Sequence, residues 1–178
     1  LTEPGMSLQT TSSQTVGPYL HIGLTWYTPT DLAANGMPGE RVAIEGRITD
    51  ANGQPVNDAL VEIWQANAAG HYAHPADDVA SSLDPKVRLW GRCPTDETGA
   101  FKFTTIKPGR VPYPDGRLQA PHINVTIFMR GLLKHLSTRI YFPGDPANAQ
   151  DPILQLVPAQ RRETLIAAPA AGRADTLA

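Results

Sequence analysis

Three residues in this sequence carry side chains that would suit a hard trivalent metal: Tyr72 in "NAAGHYAH", Tyr113 in "RVPYPDG" and His122 in "QAPHINVTIF". Phenolate oxygen and imidazole nitrogen together favour ferric iron over the softer, thiolate-preferring metals. His122 opens a stretch in which apolar Ile123, Val125 and Ile127 alternate with His122, Asn124 and Thr126, so the polar three share one face of a strand. A second histidine two residues on would complete a clamp on one ion, and that position holds Asn124. Taken singly, each candidate has an ordinary alternative: the histidine as a hydrogen-bonded strand residue, the tyrosines as packing anchors. His71 and His74 flank Tyr72 without a third partner at metal-binding spacing, and read as solvated loop residues.

Short strands must position these side chains. "RVAIEGRITD" alternates Val42, Ile44 and Ile48 with Arg41, Glu45 and Arg47, the pattern of a half-buried strand. "ANGQPV" supplies an Asn52-Gly53 hairpin signal, after which "ALVEIWQA" starts a second strand. "TDETGAFKFTTIKPG" turns at Thr98-Gly99 and gives a further strand with Phe101 and Phe103 on one face; "QAPHINVTIFM" and "STRIYF" give two more. "HYAHPADDVASSLDPKVRLWGRC" shows neither period and is long enough for a functional loop. Helical signal is confined to a turn or two in "DPILQLV", where Asp151 can cap and Pro152 suits the first helical position, and to "AQRRETL". Strands separated by Gly, Pro and Asn predict an all-β, antiparallel sandwich with long loops and little helix.

The 178 residues suffice for one domain with a continuous core. A net charge of -2, with both signs mixed along the chain, excludes an electrostatic footprint for nucleic acid or an anionic membrane. No stretch approaches the ~20 consecutive apolar residues of a membrane span, and no basic region followed by an apolar one opens the sequence; a cytoplasmic location is the expectation. Residues 1–13 read as a polar tail, 14–24 ("QTVGPYLHIGL") as an extended arm, and 14–178 as a single domain. The one cysteine, Cys93, cannot form an internal disulfide and reads as a small hydrophobe rather than a reactive thiol.

The order of these pieces is similar to that of a known family. "VAIEGRITDANGQPVNDALVEIWQANAAGHYAH", "GRCPTDETGAFKFTTIKPG" and "APHINVTIF…TRIYFPGDPANAQDP" resemble the intradiol ring-cleavage dioxygenases, from Gln14 to about Ala167. The resemblance implies a β-sandwich core, non-haem ferric iron, and the use of O2 to open an aromatic ring between two adjacent hydroxyl-bearing carbons. Within that family, the two-chain enzymes that cleave protocatechuate hold iron on a β chain through two tyrosines and two histidines. On that pattern Tyr72 matches the first tyrosine, His122 the first histidine, and Asn124 stands in the second histidine's place. Tyr113 lies in a "PYP" resembling the second tyrosine's surroundings, but two extra residues separate it from Gly109, so its equivalence stays open. An arginine that steadies the ring in the iron-bearing chain is Gln119 here, and a glutamine before "YF" is Arg139.

"SSQTVGPYLHIGL", "APHINVTIFMRG", "STRIYF" and "RRETLIA" resemble the α chain of those two-chain enzymes. The resemblance then implies that Tyr72, His122 and Asn124 are vestigial ligand positions and that Fe(III) sits on a partner β chain. It implies that Thr15, Gly17, Pro18 and Tyr19 line the partner's substrate pocket and that Arg130 faces the substrate carboxylate. Protocatechuate and O2 would give 3-carboxy-cis,cis-muconate, a step of the β-ketoadipate route, in an αβ hetero-oligomer of higher order. Such α chains continue past the equivalent of Ala178 with a final strand segment, and truncation at the C-terminus and natural shortening both stay open. Two other readings stay open: a self-sufficient dioxygenase using Tyr72, Tyr113 and His122, and a transthyretin-like binding module without catalysis. Such modules share "GRITDANGQPVNDALVEIW" but lack "QTVGPY" and "APHIN…TRIYF".

Overall fold

The computed structural model describes residues 22–33, 36–77, 88–170 and 176–178. Seven strands are described: β1 (Arg41–Arg47), β2 (Leu60–Gln65), β3 (Trp90–Pro94), β4 (Ala100–Ile106), β5 (His122–Phe128), β6 (Leu136–Tyr141) and β7 (Thr176–Leu177). They form a four-stranded sheet in the order β3-β2-β5-β6, antiparallel throughout, and a three-stranded sheet in the order β4-β1-β7. β1 and β4 are antiparallel, whereas the short β7 runs parallel to β1. The predicted sandwich is the observed architecture, with that one parallel pairing added.

The alternation in each strand explains how the sheets face each other. Val42, Ile44 and Phe103 from one sheet pack against Val61, Ile63, Ile123 and Val125 from the other, all of them buried. Each such aliphatic side chain contributes about 1.5–3 kcal/mol by leaving water. One polar residue joins the two layers inside this core: Gln65, fully buried, donates from Nε2 to the Ile106 carbonyl (2.9 Å) and accepts from Thr105 Oγ1 (2.7 Å).

Three sequence expectations need correction. Asn52-Gly53 does turn, but the ladder it closes is only the bridge Thr49–Pro55; β1 and β2 then belong to different sheets. The reason is Val56 and Ala59, 2 % and 1 % exposed, which are buried as the chain crosses between layers. The stretch from His71 to Cys93 is not all loop, because its end forms β3. In it Trp90 and Arg92 turn one way, Gly91 and Cys93 the other. Gly91 is required by packing, since a Cβ there would lie 2.7 Å from Leu32 Cδ1 and 2.9 Å from the Pro29 carbonyl oxygen. The helical signal at "DPILQLV" gives a 3-10 turn, Leu154–Leu156, with one α-helical turn following at Ala159–Arg162.

These short turns, with Pro146–Gln150 and Glu163–Leu165, form a second layer on the outer face of β5 and β6. There Ala120, Tyr141 and Leu154 make a smaller buried cluster joined by Leu165 and Ile166. Among the described residues no helix is long and apolar enough to cross a membrane. Cys93 is half-buried, its Sγ 3.2 Å from the Pro94 carbonyl, and burial pushes its thiol up, in keeping with an inert role.

Candidate functional site

The outer face of the four-stranded sheet carries the polar residues that the alternation of β5 predicts. Trp90, Trp64, Asn124 and Arg139 stand directly opposite one another across β3, β2, β5 and β6. One row further on, His122 pairs with Tyr141. Side chains of neighbouring strands on one face lie ~5 Å apart at Cβ, so each row acts as a contact line.

Tyr72 reaches this face from a loop whose shape is set by its sequence. Asn67 Oδ1 accepts from the backbone N–H of Ala69 (2.9 Å) and of His71 (3.0 Å). Gly70 takes φ 86°, a left-handed conformation natural to glycine, and approaches Arg110 too closely for any Cβ. Asp77 then fixes the next two residues, accepting from Tyr72 N at 2.8 Å and lying 3.2 Å from His71 Nδ1. His74, exposed in the loop as expected, accepts from the Ala76 N–H and sets its ring edge against Trp64, whereas His71 is half-buried against Asp77. The Tyr72 ring packs on Trp64 with centroids 4.6 Å apart, and its Oη receives a hydrogen bond from Asn124 Nδ2 at 3.3 Å.

Protonation follows from burial. His122 is 2 % exposed, and its Nδ1 lies 2.8 Å from the Ala120 carbonyl, which can only accept; Nδ1 therefore carries the proton and Nε2 the lone pair. Burial first, and the Arg139 charge second, push its pKa down and keep the ring neutral. Burial pushes the Tyr72 phenol up, opposed by the Asn124 hydrogen bond and by Arg139, so it stays a neutral phenol at pH 7. Arg139 Nη1 donates to Gln119 Oε1 at 2.9 Å and lies 3.5 Å from Tyr141 Oη. Tyr141 in turn donates to Asp151 Oδ1 at 3.0 Å.

Asp151, read from sequence only as a helix cap, does more than that. The helical turn starts later than expected, at Leu154 with Ile153 as its N-cap; Asp151 lies before it, takes the Ile153 and Leu154 N–H groups, and also accepts from Ala120 N at 2.7 Å, which anchors the segment entering β5. Trp64 was not recognised as part of this face; the signal was a large aromatic in the outward register of β2, 41 % exposed.

The structure brings Tyr72, Asn124 and His122 to one region and leaves Tyr113 elsewhere. Tyr113 forms the corner of a small hairpin closed by Pro112 and Leu118, its ring under the Arg117 guanidinium, and it does not line the cavity beside Asn124. Ferric iron does not fit the residues present. The one imidazole on this face, His122, is held by the Ala120 carbonyl and does not line the cavity beside Asn124, the Tyr72 phenol is already engaged by the Asn124 amide, and the Arg139 guanidinium stands directly opposite that amide. Among the described residues no three His, Cys, Asp or Glu side chains form a metal-binding group either.

Arg130 lies past the far end of β5. At ~3.3 Å per residue, roughly 20 Å of strand separates its end from His122. Its Nη1 is 3.0 Å from Asp58 Oδ2 and 3.5 Å from Asn57 Oδ1, and the side chain is 61 % exposed. Thr15, Gly17, Pro18 and Tyr19 lie outside the described residues.

Residues 17–176 match the family described as dioxygenase. The chain is 43 % identical over 172 residues to a protocatechuate 3,4-dioxygenase alpha chain of Burkholderia cepacia, covering 90 % of this chain and 84 % of that one. It is 45 % identical over 135 residues to the beta chain from the same organism, covering 74 % of this chain and 57 % of that one, so it spans little more than half the beta chain's length. Among solved structures, the dioxygenase domain of a carbohydrate-binding fusion protein from Streptomyces sp. SirexAA-E superposes with a TM-score of 0.63 at 26 % identity, covering 84 % of this chain and 83 % of that one.

Proposed function

This chain belongs to the intradiol dioxygenase family, and from that premise we propose that it is the α subunit of a protocatechuate 3,4-dioxygenase, working beside an iron-bearing β chain. Identity alone does not decide between the two kinds of chain, since the α and β relatives lie at 43 % and 45 %. The observation that carries the reading is Asn124, an amide where the metal-binding pattern needs an imidazole, hydrogen-bonded to Tyr72 with Arg139 across from it. Members of the family use non-haem iron; in this reading Fe(III) is held by the β chain, and no step of ring opening runs through this chain's own pocket.

The chain's task is then to bind and orient. Arg130 is exposed and engages Asp58 and Asn57 through Nη1, which leaves Nη2 and Nε as donors for the carboxylate of protocatechuate. Thr15, Gly17, Pro18 and Tyr19 of the arm close the partner's pocket, where the Gly-Pro backbone approaches the substrate without a bulky side chain. The assembly converts protocatechuate and O2 into 3-carboxy-cis,cis-muconate, both oxygen atoms entering the product.

The test is the iron content and visible spectrum of this chain, purified alone and after co-expression with the β chain from the same genome. A tyrosinate bound to ferric iron gives a red-brown band. A colourless lone chain and a coloured complex support the subunit reading. A coloured lone chain with stoichiometric iron would establish the self-sufficient enzyme instead.

A further inference from the structure

The cavity beside Asn124 is larger than a single ion requires. It measures about 620 Å³, with Trp64 and Tyr72 on one side and Ile153, Val157 and Leu165 among its apolar lining. Arg139 also lines it, half-buried. Among the described residues its polar contacts are Gln119 Oε1 and Tyr141 Oη, and no carboxylate pairs with it. The carboxylate that this network reaches, Asp151, lies beyond the Tyr141 phenol. Its oxygens are already taken by that phenol and by the N–H groups of Ala120, Ile153 and Leu154.

A guanidinium has five donors, and here one good acceptor occupies one of them. Half-buried in a cavity that Trp64 and Tyr72 also line, such a group is suited to a planar anion: two parallel hydrogen bonds to a carboxylate, and a ring against the indole and phenol. We propose that this cavity is a metal-free binding site for a small aromatic carboxylate, held by Arg139 and stacked against Trp64 and Tyr72. The guanidinium supplies the positive charge that a metal would have supplied. The site uses only this chain's residues, so it stands whether or not the subunit reading does.

The experiment is equilibrium dialysis of the co-purified αβ complex against 4-hydroxybenzoate, counting bound probe per αβ pair next to the iron content. The expected count is one more than the iron count. It falls by one in Arg139→Met, and also in Ser137→Phe, which fills the cavity from an exposed lining position and keeps the guanidinium itself. Each variant weakens that site tenfold or more. A wild-type count equal to the iron, or an extra site kept in both variants, overturns the proposal. Failure of the two chains to co-purify counts against the subunit reading instead; the same dialysis on this chain alone then decides, one site against none.

Discussion

Arg139 Nη1 donates to Gln119 Oε1 across 2.9 Å, and these are the two positions to which the family resemblance gives a glutamine and an arginine respectively. On that resemblance the two residue types are exchanged, and in this chain the positive charge stands on β6, directly opposite Asn124.

That exchange predicts how hard the metal site is to restore. Asn124→His alone rebuilds the missing imidazole but leaves Arg139 facing it, and gives no ferric iron binding. Asn124→His with Arg139→Gln removes the repulsion and brings Tyr72, His122 and the new imidazole onto one face. Iron per chain and the visible tyrosinate band, measured after anaerobic loading and air oxidation, are expected to rise only in the double variant. Iron bound equally by the single variant would show that Arg139 is no barrier.

On the role proposed for Arg130, Arg130→Ala in the assembled enzyme removes a charged pair of hydrogen bonds to the substrate carboxylate. At ~1.5–3 kcal/mol for such a bond, the Michaelis constant for protocatechuate rises tenfold or more while that for catechol, which has no carboxylate, stays within about twofold. Equal changes on the two substrates would remove Arg130 from the pocket.

Gln65→Leu keeps the volume of a buried side chain and deletes the link between the sheets. Thr105 Oγ1 and the Ile106 carbonyl are left without partners, at about 1–3 kcal/mol each. The urea midpoint should fall by the equivalent of ~2–5 kcal/mol, and an unchanged midpoint would mean that water replaces the amide.

Tyr141 gives a pH dependence with a definite sign. Burial pushes its phenol up to about 12 from an ordinary value of 10.0. The folded chain holds a proton that the unfolded chain releases first, so the contribution to stability is full below pH 10 and is lost as the pH rises from 10 toward 12. Unfolding free energies of wild type and Tyr141→Phe between pH 8 and 11 are therefore expected to converge above pH 10. A gap that stays constant would contradict the buried phenol.

Strands were legible where side chains alternate without interruption, as in Arg41–Arg47 and His122–Phe128. β3 was hidden because Gly91 puts no side chain on the inward face and Pro94 ends the strand after five residues. His122 and Tyr72 were legible as candidate donors because side-chain type and strand period suffice to name them. The pairing of Arg139 with Gln119, and the second role of Asp151, were not, because both depend on which strands and turns become neighbours across 20 or more positions of chain. The sorting of strands into sheets was hidden for the same reason: Asn52-Gly53 is chemically a good turn whichever layer the chain enters next.

Because the turns after β1 and β3 each hand the chain to the opposite sheet, they cannot act as seeds from which a ladder zips outward. The β5–β6 pair is the one antiparallel pairing of the described strands made by neighbours in sequence without a change of sheet and through a short connection. Every other ladder must wait for a long loop to close: Arg41 with Ile106, Trp64 with Asn124, Ala43 with Thr176. Chains dominated by such distant pairings fold in milliseconds to seconds rather than microseconds. The β5–β6 hairpin, the element that carries His122, Asn124 and Arg139, is therefore the pairing expected to close first.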